Sequence, residues 1–328
     1  MTSPEQILAT TDWSALDHAY SADASDLPER LVGLLSGDPK LAAHALAVLD
    51  AAVLHQGTIY GATTPVALYV AALLPDARTD MPCGTELPWD NRVRPLRAAL
   101  IEWLGQVAES ATYEYEDEDH DDGVTACRAV LPDLYRAIAP YLEDPLESVR
   151  AAAIMAAGRL LKTPVLAEHR DAVAERLIEL APTVEPVLRA RFAIILSGWG
   201  IAPRAFLADR DPAVRAYAAV SPALDDDPVA LAEVRAALRE PDAADTWFRD
   251  VDAPLLEGWF QAHLVEALLR RTSSFEEIVD EAMLVARGTS YGNQASVRAI
   301  LLSRFPADAP RSPAQRTFQA VLSGGPET

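Results

Sequence analysis

The chain is expected to be all-α, an α-solenoid in which antiparallel helical hairpins stack on one another. Two observations predict this. Half of the 328 residues are hydrophobic and only 7% aromatic, and alanine, the best helix former, is spread along the whole chain. Apolar residues recur at i, i+3 and i+4, while no run of alternating Val, Ile, Thr and Tyr bounded by turn residues marks a strand. A single solenoid domain over residues 1–328 is expected, with an acidic, mobile inter-helix loop at 109–123.

The elements follow in order. Residues 27–35 read as a helix, and "GDPKLAAHALAVLDAAVL" carries another from about Leu41 to Gln56. Gly57 can take the left-handed conformation that closes a helix. Thr63 or Thr64 can cap the next one, with Pro65 in its first turn. The stretch "VALYVAALL" is apolar on nearly every side, as expected for a helix buried between neighbours. A helix over residues 96–107 follows. Beyond it Cys127, Val130, Leu131, Leu134, Ile138 and Tyr141 share one helical face, from a start near Val124.

In "EDPLESVRAAAIMAAGRLLK" the Asp144-Pro145 pair stops one helix and starts the next, which Val149, Ala153, Ala156 and Leu160 stripe. Residues 172–180 and 186–196 form another hairpin, and "DRDPAVRAYAAV" opens a further helix. Residues 228–238 pair with 255–269, and 275–285 with 294–302. Pro145 and Pro186 stand 41 residues apart, close to the ~40–47-residue period of two-helix repeats, so roughly seven or eight would fill the chain. Pro212 follows Pro186 after only 26 residues, which marks one repeat as abbreviated or a slip in register.

These junctions carry a family resemblance. "DPAVRAYAA", from Asp211, resembles the start of the second helix in HEAT-type repeats, where Asp-Pro-x-Val-Arg precedes small residues. "DPLESVRAAA" resembles it with two extra residues, and "GDPKLAAHAL" lacks the Arg. The resemblance implies a stack of helical hairpins and an Asp–Arg ladder between repeats, which by position would use Asp211 with Arg215 and Asp144 with Arg150. It implies little about function, because such solenoids serve many roles. HEAT-like folds also occur in DNA glycosylases and bilin lyases, so an enzyme is the competing class. A glycosylase groove would draw on Arg189, Arg191, Arg204, Arg210 and Arg215 near Trp199, but Glu185, Asp209 and Asp211 are interspersed among them.

The formal net charge is −21, from 49 acids against 28 bases. This disfavours a nucleic-acid backbone or an anionic membrane as partner and suits solubility or a basic protein partner. Among the bases only Lys40 and Lys162 are lysines. Cys83 and Cys127 make no disulfide framework and no C-x-x-C pair. Between Asp50 and Asp76 no charge occurs, yet the stretch holds His, Gln, Gly, Thr and Pro, and its apolar part is too short to span a bilayer. The N-terminal residues lack the basic and apolar regions of a signal peptide. A soluble cytoplasmic protein is expected.

The most conspicuous chemistry-bearing stretch is "YEYEDEDHDDG". A calcium loop needs Gly at its sixth position and Glu at its twelfth. Starting at Asp117 places Asp122 and Arg128 there; starting at Glu118 places Gly123 correctly but Ala129 at the twelfth, so both registers fail. The stretch is a solvated loop, a docking surface for a basic partner through Tyr113, Tyr115, Glu116, Asp117, Glu118, Asp119, Asp121 and Asp122, or a place of adventitious metal binding. The corner "LHQGTIYGATTP" adds His55, Gln56 and Tyr60 as candidate partner-binding residues.

No H-x-x-x-H or H-E-x-x-H pair, G-x-S-x-G elbow or phosphate-cradling glycine loop is present. No cofactor, metal or catalytic residue is therefore expected. Trp259 falls on helical spacing with Leu255, Leu256 and Ala262, which predicts core packing for it. Taken together, these features predict a non-enzymatic module that binds another protein, basic in charge. A sharper form is an immunity-type inhibitor of a toxin such as a nuclease.

Overall fold

The computed structural model describes residues 2–87, 90–112, 121–248, 256, 259–287, 294–305 and 310–322. The described chain is mostly helical, with sixteen α-helices and one pair of two-residue strands among the described residues. It divides into two compact units, Met1–Arg170 and Asp171–Thr328.

In the first unit the helices are α1 (Pro4–Thr10), α2 (Leu27–Leu31), α3 (Pro39–Val48), α4 (Thr63–Leu73), α5 (Leu96–Thr112), α6 (Asp121–Ile138) and α7 (Glu147–Leu160). Pro39 starts α3 in the way Pro starts many helices, and the Asp38 carboxylate caps it by accepting from Lys40 N–H. Helix α5 is the spine of this unit and packs on α4, α6 and α7, with Leu96, Leu100, Ile101 and Leu104 fully buried. Close approach to α7 depends on Gly105, where a Cβ would stand 3.0 Å from Ala156 Cα. Helix α6 runs on through Pro132. Strand β1 (Pro82–Cys83) pairs antiparallel with β2 (Arg94–Pro95), a feature that two residues per strand leave without a periodic signal.

The helix expected to run to Gln56 ends earlier. After Val48 the chain takes one wider π turn over Leu49–Val53, breaks at Leu54, and continues as a 3₁₀ turn over His55–Gly57. Gly57 has φ 78°, as its position suggested, but Gln56 is left-handed too, at φ 53°. Nor does a threonine cap α4. Thr63 is its first residue, Ala62 precedes it, and the buried Thr63 hydroxyl accepts from Tyr60 N–H while donating to Val53 O. The hydroxyl thus links the end of one helical segment to the start of the next.

In the second unit α8 (Arg170–Leu180) leads from the boundary into α9 (Pro186–Gly198), α10 (Pro212–Ala219), α11 (Pro228–Leu238), α12 (Pro241–Ala244) and α13 (Phe260–Arg270). After these come α14 (Val279–Arg287), α15 (Gln294–Leu302) and α16 (Pro313–Leu322). Helix α10 packs on α9 and α11, α11 on α13 and α14, α13 on α15, and α14 on α16. Asp211 and Asp227 cap α10 and α11 ahead of their prolines. The core holds Phe192, Leu196, Val214, Leu238, Leu264 and Phe318. Tyr217 and Phe260 stack with ring centroids 3.8 Å apart. The core packing expected of Trp259 is not found. It is 38% exposed, because it precedes the first turn of α13 and the buried ring there belongs to Phe260.

Among the described residues no helix is long and apolar enough to cross a membrane.

Candidate functional site

The corner at residues 54–65 is assembled from four directions. Gly61 N–H donates to Asp17 Oδ1 at 2.7 Å, and Ala19 N–H donates to Ala52 O at 3.0 Å. The rings of Tyr20 and His55 lie 5.6 Å apart, and Tyr20 is 67% exposed. Gly57 faces Ser110 near the end of α5, and Gly123 near the start of α6 lies against the Tyr60 backbone. His55, Gln56 and Tyr60 are therefore brought beside both helix ends that flank the acidic stretch. His55 and Tyr60 are half-buried and Gln56 is exposed. Of the acidic candidates, Asp121 opens α6 and Asp122 is exposed on its first turn. Tyr113, Tyr115, Glu116, Asp117, Glu118 and Asp119 lie outside the described residues.

A second constellation was not anticipated. The π turn carries Asp50, half-buried and within electrostatic reach of Arg94, Asp90 and Glu102, which with Arg92 form a charged cluster. Arg92 holds Asp90 through two parallel bonds, Nε to Oδ1 at 2.9 Å and Nη2 to Oδ2 at 3.0 Å, and reaches Glu102 at 3.1 Å. Arg94 Nη2 lies 3.1 Å from Asp90 and 2.8 Å from Glu102. Hydrogen bonding from Arg92 holds the Asp90 carboxyl down at about 2. Burial drives the Asp50 carboxyl the other way, to about 6, against the attraction of Arg94 and with the repulsion of Asp90 and Glu102. The sequence signal for this site was a lone acid inside "ALAVLDAAVL", a place where a charge is costly.

In the second unit three of the five arginines that a nucleic-acid groove would use are engaged by carboxylates. Arg189, whose side chain is 4% exposed, is held bidentately by Asp209 at 2.7 and 3.1 Å. Arg204 pairs with Asp227, and Arg215 with Glu233 at 3.0 Å. Arg191 is half-buried and Arg210 exposed, and Trp199 is buried. Arg189, Asp209, Phe206 and Ile178 line a cavity of about 450 Å³. The Arg189 guanidinium has little left to offer a ligand there, since its Nη1 also donates to Val184 O at 2.6 Å.

The proposed ladder residues find different partners. Asp211 Oδ1 accepts from Ala213 N–H, and Asp144 Oδ1 accepts from Leu146 N–H, so both carboxylates serve their own helix starts. Arg215 Nη1 reaches back to Asp209 O at 2.9 Å, and Arg150 Nη1 to Asp144 O at 2.7 Å. In both cases the guanidinium satisfies a carbonyl six residues earlier, in the turn before the helix.

The histidines are dispersed. His18 is buried against Asp26 at 3.2 Å, His44 meets Glu86 at 3.0 Å, and His169 stacks near Tyr135 with centroids 4.7 Å apart. The last pair lines a cavity of about 490 Å³ with Pro132, Pro140 and Val165. Among the described residues no group of three or more His, Cys, Asp or Glu is arranged to hold a metal ion. Cys127 is buried, and burial pushes its thiol up to about 12.

Comparison with protein-family models, with curated proteins and with solved structures finds no match for this chain.

Proposed function

We propose that this chain is a HEAT-like α-solenoid that works as a non-enzymatic interaction module and binds a basic partner protein. The observation that carries the reading is where the charge goes. Arginines 189, 204, 215, 235 and 270 are spent on internal carboxylates, and Arg150 and Arg271 on backbone carbonyls. Exposed acids such as Glu29, Asp122, Glu147, Glu175, Asp226 and Glu240 then dominate a chain whose formal charge is −21. The same pairing speaks against a basic groove of the glycosylase type. The solenoid reading is supported by successive contacts of helices two apart in the chain, α5 with α7 and α4 with α6 in one unit, α11 with α13 and α13 with α15 in the other. A cytoplasmic location is part of the proposal.

The test is kinetic. Partners are captured from a native lysate on the immobilised chain, and association of the captured protein is timed against salt. Steered binding slows about tenfold or more between low and high ionic strength, and slows again when Glu116–Asp122 are neutralised. A rate indifferent to both refutes the reading. Solution scattering tests the solenoid separately. A stacked array exceeds the radius of gyration of about 20 Å expected for a compact globule of this length.

A further inference from the structure

The cavity of the second unit joins an apolar wall to one positive charge that nothing in the fold uses. It measures about 450 Å³, within the range of sites for small organic molecules. The end of α8, the 3₁₀ turns at Ala181–Thr183 and Arg204–Ala208, and α9 build it. Ile178, Pro182 and Phe206 supply hydrocarbon surface, and folding leaves Ile178 43% exposed. The charged lining is Arg189, Asp209 and Arg210, two cations against one anion. Arg189 and Asp209 are closed on each other. Nε and Nη2 of the guanidinium donate to the two carboxylate oxygens, Nη1 donates to Val184 O, and Asp209 Oδ1 also accepts from Asp211 N–H. Arg210 is exposed, and among the described residues its guanidinium makes no hydrogen bond or ion pair. The acid that follows it, Asp211, is engaged at the start of α10 by Ala213 N–H.

We propose that this cavity binds a small organic monocarboxylate with an aromatic or branched aliphatic body. The body lies on Ile178, Pro182 and Phe206, and the carboxylate pairs with Arg210 at the exposed edge. Each part of such a ligand answers a feature of the lining. Its hydrocarbon leaves water for an apolar wall that is otherwise wetted. Its carboxylate fits a guanidinium through two parallel N–H bonds. The charge count selects a monoanion. One negative charge brings the lining to neutrality, whereas a dianion such as a phosphate monoester leaves a surplus charge facing the Asp209 carboxylate. The Arg189–Asp209 pair, fixed on every side, offers a rigid floor that entry does not have to reorder. No macromolecule takes part, so this site stands or falls apart from the basic partner proposed above.

The experiment titrates 2-naphthoate into the full chain by calorimetry, with the neutral 2-naphthamide and the dianionic 2-naphthyl phosphate alongside. Naphthoate is expected to bind with a Kd of about 1 mM or tighter, at least about tenfold better than either analogue. Arg210→Gln should weaken naphthoate about tenfold or more and leave naphthamide unchanged. Because Arg210 is exposed and holds no other group, this variant keeps the fold, which circular dichroism checks. Ala205→Trp places a large ring on the cavity lining from an exposed position and should abolish binding of naphthoate and naphthamide alike. Naphthoate that fails to bind at about 5 mM overturns the proposal, as does naphthoate bound no better than naphthamide. An affinity that Arg210→Gln leaves intact, or that survives Ala205→Trp, also overturns it.

Discussion

Removing the Asp209 carboxylate should cost far more than the loss of a surface charge. Its partner Arg189 is 4% exposed, and Asp209 itself 11%. In Asp209→Ala the guanidinium loses both bonds to the carboxylate and keeps only Val184 O. The Asp211 N–H, which Asp209 Oδ1 accepts at 2.8 Å, is orphaned as well. Breaking a buried pair by taking one partner costs about 3–5 kcal/mol, and at about 2–4 °C per kcal/mol the second unit should melt about 10 °C lower. The double variant Arg189→Met, Asp209→Leu should recover most of this, because neither charge then has to be desolvated. Urea unfolding followed through the buried Trp199 gives all the stabilities. A cost below about 1 kcal/mol for Asp209→Ala would show that the pair is not structural, as would a double variant worse than the single one.

Further outcomes are expected elsewhere. For Asp50 the folded value of about 6 exceeds the ordinary 3.8, so its stabilising share is complete at low pH and lost as pH rises through 6. Asp50→Asn should therefore stabilise the chain by about 2–3 kcal/mol near pH 8 and leave it unchanged near pH 4, read from melting curves at both. Asp209 runs oppositely. Burial raises its carboxyl, but the bonds from Arg189 and Asp211 N–H prevail and hold it low, so its share is present above 3.8 and lost as pH falls below. The pH dependence of Asp209→Asn stability in acid should be weaker than that of the native chain. Gly105→Ala gains about 1 kcal/mol of helix propensity but loses about 1–3 to overpacking against Ala156, so urea titration should show a net loss, larger for Gly105→Leu. Iodide should quench Trp259 and spare Trp13, Trp103 and Trp199, which are 3–6% exposed; equal quenching would place Trp259 in the core.

Helix starts were the most legible part of the chain. Pro186, Pro212 and Pro228 each open a helix, and Asp211 and Asp227 cap theirs, because a fixed φ and a short acceptor act locally. The end of α3 was not legible, since "LAVLDAAVL" satisfies a helix in any register and nothing local announces the wider turn. Asp50 was passed over for the same reason. Its neighbours Asp90, Arg92, Arg94 and Glu102 lie 40 to 52 residues away in sequence, and only folding assembles them. The corner was legible as a junction, but the use of the Thr63 hydroxyl as a link required Val53 and Tyr60 to be placed first.

The arginine braces have a practical consequence for chemical probing. Lys40 and Lys162 are both exposed, and both belong to the first unit. The second unit contains no lysine at all. Amine-directed cross-linkers and dyes therefore report on one unit alone. Dicarbonyl reagents selective for guanidinium reach the other, and there the order in which arginines react should follow how deeply each is tied into a turn.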